Sequence, residues 1–230
     1  MADQILKYRA DELSRPQPEK ALRNRQLALL VAPVALTAST FAAYQWFVVL
    51  FGLKPGYFAG FLFYWVVWCL IFPIGMVGVS GVRAMFHDRR PRLARPTWLS
   101  LLLLAIPVLG GFFVMMLPRL PYADVAVIAV SAGIALVNGI GEEILWRGTY
   151  FTLFPRDARR GYLYPALAFG LWHLAPTSVT GNPLLIVSSA TFLGLTYGWV
   201  AWRTGSIRWT TVFHALTDFT GLIGVFYLSV

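Results

Sequence analysis

The sequence predicts an all-α fold, a polytopic transmembrane helical bundle of about seven or eight spans in which a long broken helix carries two adjacent glutamates. Three observations lead there. Of 230 residues, 58% are apolar or aromatic and only 13% are charged, far more apolar than a soluble domain of this length. Long uncharged runs alternate with short arginine-rich or proline-containing stretches, as expected when each run must satisfy its own backbone inside lipid. The few ionisable residues within those runs cluster toward the C-terminal half.

Residues 1–26 mix acidic and basic residues with two prolines, and the apolar run that follows is too long for a signal-peptide core. This segment reads as a cytoplasmic N-terminal arm, and 27–230 as a single transmembrane domain. Spans are expected at 27–51, 57–79, 98–117, 122–154, 161–175, 184–202 and 209–229. The fourth is anomalous. A straight helix from Tyr122 to Phe154 would be roughly 50 Å long against a hydrocarbon core of about 30 Å. It must tilt, bend or break, and Asn138, Gly139 and Gly141 offer a break just before the glutamates.

Other features are architectural. Trp98, Trp202 and Trp209 sit at span ends, where an indole suits the headgroup layer. Gly194 and Gly198 form a GxxxG pair that lets helices approach. Cys69 is the single cysteine, which excludes an intramolecular disulfide and any multi-cysteine metal site and leaves packing as its role. No internal repeat or separate soluble domain is evident.

The net charge of +9 does not indicate nucleic acid, because the basic residues fall in short segments between apolar runs. They report topology instead. Six lie at the N-terminus, five arginines between Arg83 and Arg95, three between Pro155 and Gly161, then Arg203 and Arg208. The alternate loops hold Lys54 alone, Arg119 alone and nothing basic between Pro176 and Pro183. The positive-inside rule therefore places the N-terminus in the cytoplasm and the end of the last span outside. Sixteen arginines against three lysines point to a GC-rich bacterial host, and so to an inner membrane.

Ionisable residues inside apolar runs are costly and face a partner or a wet cavity, which makes them the first functional candidates. Glu143 and Arg147 are four apart and share a helical face, where they neutralise each other. Glu142 projects about 100° away. It has no cation four positions off and must find water, a histidine or a substrate, as a general base does. His173, twelve residues into the fifth span, reaches nearly the depth of Glu142, roughly 18–20 Å from their shared cytoplasmic loop. His214 and Asp218 share a face of the last span, so the carboxylate can orient the imidazole. His87, among arginines, reads as a solvated or headgroup-contacting loop residue. Taken singly, the glutamates and arginine also fit a structural ion-pair cluster, and each histidine a helix-packing hydrogen bond.

EExxxR at Glu142 to Arg147, FxxxH at Phe169 to His173 and an HxxxN-like element at His214 to Asp218, in that order on separate spans, resemble the CPBP family of CAAX-protease and bacteriocin-processing intramembrane glutamic proteases. The resemblance covers about residues 98–230, the expected catalytic core. It implies an intramembrane endopeptidase that cleaves a membrane-associated protein or peptide with an activated water and no cofactor. It also implies roles: Glu142 as base, His173 polarising the water, Glu143 and Arg147 holding the geometry, and His214 steadying the oxyanion. Asp218 departs from the family pattern, which commonly has asparagine there. An amide can donate to an oxyanion, whereas an ionised carboxylate only accepts.

Three alternatives remain at this level. A zinc protease would draw ligands from Glu142, His173 and His214, although the paired-histidine HExxH helix is absent. A non-catalytic immunity or scaffold protein would keep the same residues as a pocket for a peptide or membrane partner. A transporter is disfavoured, because no matching pair of broken spans marks an inverted repeat.

Overall fold

The computed structural model describes residues 19–87 and 93–227. The arm over 1–18 and three arginines of the second basic segment, Arg89, Arg90 and Arg92, lie outside the described residues. Helix α1 spans Glu19–Phe51, α2 Leu53–Met85, α3 Thr97–Met116 and α4 Val125–Leu153. A π turn at Arg159–Leu163 leads into α5, Tyr164–Trp172, followed by the short α6, Leu174–Thr180, then α7, Pro183–Thr204, and α8, Arg208–Tyr227. Residues 19–26 are helical and continuous with the rest of α1.

Among the described residues, α1 to α4 and α7 are long and apolar enough to cross a membrane. α5 and α8 occupy the places expected of the fifth and seventh spans. The distribution of side chains is inverted relative to a soluble protein: Val34, Val49, Val125 and Leu184 are 71–84% exposed, while Glu142, Glu143, Arg147 and His214 are at most 3% exposed. Apolar surface outward and polar groups inward is the arrangement of a bundle whose solvent is lipid. The chain is an integral membrane protein.

α4 differs from expectation in where it departs from α geometry. It begins at an Asp124 cap, whose carboxylate accepts from the backbone N–H of Val127 at 2.7 Å, and stays α-helical through Asn138, Gly139 and Gly141. The irregularity comes after the glutamates, in a π turn over Ile144–Thr149. There the Thr149 hydroxyl also donates to the Ile144 carbonyl, five residues back, at 2.8 Å. Glycine does not open the helix, because no water in the bilayer competes for its backbone.

Gly139 serves close approach. A Cβ there would lie 2.7 Å from the backbone nitrogen of Ala215, so α4 and α8 meet almost backbone to backbone. Gly194 does the same between α7 and α5, where a Cβ would lie 2.6 Å from the Ala166 carbonyl oxygen, and Gly198 packs against the Tyr162 ring. The GxxxG pair is thus an interhelical contact, as expected. At the other end, α1 ties down α4: Gln26 donates to the Leu153 carbonyl at 2.8 Å and Tyr150 to the Leu29 carbonyl at 3.0 Å. Ile207 N–H donates to the Met85 carbonyl at 2.9 Å, joining the start of α8 to the end of α2.

Of the aromatic span ends, Trp98 is 65% exposed, while Trp202 is half-buried and stacks on Tyr162. Cys69 is buried beside Gly141. His87 is exposed, with Nδ1 3.0 Å from the Arg83 carbonyl oxygen.

Candidate active site

The close α4–α8 contact at Gly139 brings His214 between the two adjacent glutamates. Its Nδ1 lies 2.9 Å from Glu143 Oε1, and its Nε2 lies 3.3 Å from Glu142 Oε2. Asp218, one turn along α8, places Oδ1 3.6 Å from the same Nε2. Both ring nitrogens thus face carboxylate oxygens, which accept, so each is placed to donate.

Glu143 is the more fully committed carboxylate. Besides His214 it meets Arg147 Nη1 at 3.1 Å on Oε1, and Thr210 donates to Oε2 at 2.6 Å. Arg147 also donates to the Leu193 carbonyl at 3.3 Å and lays its guanidinium over the Phe169 ring, 4.5 Å from the centroid. Two full charges at this depth need such company, because a lone buried ion costs several kcal/mol. The expected Glu143–Arg147 pairing on one helical face is therefore present, and it is extended by α7 and α8.

Glu142 is held more lightly. Its contacts are His214 on Oε2 and the phenol of Tyr64, which donates to Oε1 at 3.1 Å. Tyr64 in turn accepts from the Trp146 indole at 2.8 Å. Asn138, one turn before Glu142, donates from Nδ2 to Asp218 Oδ2 at 2.8 Å and accepts from the Trp65 indole at 2.7 Å.

His173 stands differently from the sequence expectation. It caps α5 and is partly exposed, and Nδ1 lies 2.8 Å from the Phe169 carbonyl oxygen. A carbonyl only accepts, so Nδ1 carries the hydrogen and Nε2 is left to accept. Among the described residues no hydrogen bond or ion pair joins His173 to Glu142. Its links to the cluster run through Phe169, whose ring lies edge-on to both His173 and His214 at 4.8 and 6.0 Å, and through Trp172, stacked at 4.0 Å on Tyr64. Counting from the shared loop predicts a similar depth for the two residues and does not predict contact.

Among the described residues, the groups able to converge on a cation are Glu142, His214 and Asp218, whose ligand atoms lie within 4.8 Å of one another. This set has Asp218 where the set considered from sequence has His173. A carboxylate–imidazole–carboxylate trio is chemically competent for zinc, although His214 Nε2 is the only nitrogen in it.

Sequence reasoning passed over Tyr64, Trp65 and Thr210, and took Asn138 only as a helix breaker. Tyr64 and Trp65 lie in an apolar run rich in aromatics, with nothing in their spacing to single them out. Asn138 was the accessible signal, since an amide inside a span needs partners and stands one turn before Glu142.

No curated protein and no solved structure matches the chain. Residues 124–220, the stretch that holds Glu142, Glu143, Arg147, Phe169, His173, His214 and Asp218, match the family model described as type II CAAX prenyl endopeptidase Rce1-like, so the resemblance to the CPBP family rests on a family match and not on three short motifs alone.

Proposed function

We propose that the protein is an intramembrane endopeptidase that hydrolyses a peptide bond of a membrane-associated protein or peptide with a water activated by Glu142 and His173. The observation that carries this reading is the unequal treatment of two adjacent buried carboxylates. Glu143 is consumed by Arg147, His214 and Thr210, whereas Glu142 has only one phenol and the longer, 3.3 Å side of the His214 imidazole as partners. A carboxylate with fewer fixed partners has lone pairs left with which to take a proton from water. The match of residues 124–220, the range that contains both glutamates, to a CAAX endopeptidase family supports protease chemistry.

In this reading the water oxygen attacks the scissile carbonyl carbon while its proton passes to Glu142. The proton is then delivered to the leaving nitrogen as the C–N bond breaks, and the products are a carboxylate and an amine. His173 Nε2 accepts from the water and sets its orientation. His214 Nε2 turns from Glu142 to the developing oxyanion, and Glu143 keeps Nδ1 engaged so that the ring cannot rotate away. Phe169 supplies the surface on which Arg147 and both imidazoles rest. No cofactor is needed, and we place the protein in a bacterial inner membrane with its N-terminus in the cytoplasm.

The test is cleavage by purified protein in detergent of two probes, a farnesylated peptide ending in a CAAX motif and an unprenylated transmembrane peptide. Wild type cleaves at least one and folded Glu142→Gln cleaves neither. Wild-type-like cleavage by folded Glu142→Gln, or no cleavage by wild type, overturns the reading, and the second outcome favours the non-catalytic immunity or scaffold alternative.

One observation favours a second reading. The convergence of Glu142, His214 and Asp218 would suit a zinc protease, with the metal polarising the water. Stringent chelation separates the two: activity that survives removes zinc, and activity lost and restored only by added zinc removes the metal-free mechanism.

A further inference from the structure

The family match begins at residue 124, yet two hydrogen bonds into the cluster come from α2, far outside it. Tyr64 and Trp65 are consecutive residues at the start of a π turn, Tyr64–Ile71. Closing hydrogen bonds over five residues spreads more residues round each turn, so neighbouring side chains diverge less than in an α-helix. Both therefore reach α4, and they meet side chains four apart on one α4 face: Tyr64 meets Glu142 and Trp65 meets Asn138.

The direction of these hydrogens follows from what each group can do, with the Cys69 thiol a further neighbour of the Tyr64 oxygen. An indole N–H only donates. Trp146 therefore occupies a lone pair of the Tyr64 oxygen, and the phenol hydrogen is left to point at Glu142 Oε1. Likewise the Trp65 indole must meet the oxygen of the Asn138 amide, which turns the NH2 toward Asp218 Oδ2. Two indoles thus set the sense of two chains that end on Glu142 and on Asp218 beside His214. Tyr64 is fully buried and Asn138 9% exposed, so water does not compete for these bonds.

We propose that Tyr64 and Trp65 are positioning residues for the hydrolytic site. Tyr64 pins Oε1 of Glu142 so that Oε2 is the oxygen presented to water, and Trp65, through Asn138, holds Asp218 against His214. This rests on Glu142 being the base. It makes α2 part of the active machinery and not merely a scaffold that buries it.

Tyr64→Phe removes one oxygen, and Trp65→Phe removes the indole N–H together with part of the ring, a loss of volume that the Trp68→Phe control shares. Each should lower kcat roughly tenfold or more while leaving KM for whichever of the two probes wild type cleaves within about twofold, because orientation of the base is lost and substrate contact is not. Trp146→Phe, which frees the phenol to turn, is the second reading of the Tyr64 branch. The control is Trp68→Phe on the same π turn, whose indole donates to Ser39 and not to α4. It loses an equivalent hydrogen bond and should keep wild-type kcat.

In a Glu142→Gln background Tyr64→Phe should add nothing further. A readout without turnover is infrared difference spectroscopy, in which the carboxylate band removed by Glu142→Gln should move in Tyr64→Phe and stay in place in Trp68→Phe. Wild-type kcat in Tyr64→Phe and Trp65→Phe with an unmoved band overturns the proposal, even where Glu142→Gln is inactive. Full activity of Glu142→Gln instead overturns the base assignment beneath it.

Discussion

His214 presents Nε2 to Oε2 of Glu142 at 3.3 Å, across the α4–α8 contact that Gly139 permits. That distance is long for a charge-assisted hydrogen bond, whereas Nδ1 sits at 2.9 Å from Glu143. The imidazole is anchored on one side and loosely engaged on the other. A group that must shift between a carboxylate and a reaction intermediate is served by this asymmetry.

The first expected outcome follows from it. Glu142→Gln keeps an oxygen for Tyr64 to donate to and loses only the longer His214 contact. Its thermal midpoint in detergent should stay within a few degrees of wild type while cleavage falls by at least about a hundredfold, the scale of removing a general base. Equal collapse of stability would show that Glu142 is structural.

Glu143→Gln and Arg147→Met should behave in the opposite sense. Each leaves a buried charge without its partner, and breaking a buried pair from one side costs about 3–5 kcal/mol. Chemical denaturation or thermal melting in detergent should register this before any assay does. The double variant Glu143→Gln/Arg147→Met removes both charges and should recover part of the loss, although His214 would then be anchored by a neutral amide oxygen in place of a carboxylate.

Much of this arrangement was legible in the sequence because it depends on one helix at a time. Apolar run length marked the helices, four-residue spacing paired Glu143 with Arg147, and Gly194 with Gly198 marked a site of close approach, whereas Gly139 reads in the sequence as a break and is instead a second such site. What escaped depends on which helices pack together. Tyr64 looks like any aromatic in an apolar run until α2 is laid against α4. His214 was paired with Asp218 by spacing, but its shorter contacts are to α4, set by the Gly139–Ala215 approach. Loop counting gave His173 the depth of Glu142, yet depth carries no information about azimuth, and the ring turns back to the Phe169 carbonyl.

His173→Ala provides a third test. The ring is partly exposed and its hydrogen bond is local, four residues back on its own helix. Removing it should cost about 1 kcal/mol of stability or less while lowering kcat by at least tenfold if Nε2 orients the water. His173→Asn, whose amide oxygen can accept but sits on a shorter side chain, should fall between the two. Activity unchanged in both variants would take His173 out of the chemistry.

Asp218 offers the most discriminating experiment, because its partner is also an amide. Asp218 Oδ2 accepts from Asn138, and Asn138 must keep its oxygen toward Trp65. Asn138→Asp alone sets two carboxylates against each other and should destabilise the protein, in the range of about 1–3 kcal/mol for a buried hydrogen bond lost. The exchange Asn138→Asp/Asp218→Asn restores a donor opposite an acceptor with the polarity reversed: the new carboxylate accepts from both Trp65 and the new amide. That double variant should regain most of the stability. Its carbonyl rather than a carboxylate would then face His214, so activity separates two roles for residue 218. If Asp218 only holds the imidazole through an accepting oxygen, the exchange should restore cleavage along with stability. If the charge of the carboxylate is required to orient His214, stability should return while kcat stays depressed, and thermal melting paired with the peptide assay on the same three variants reads the difference directly.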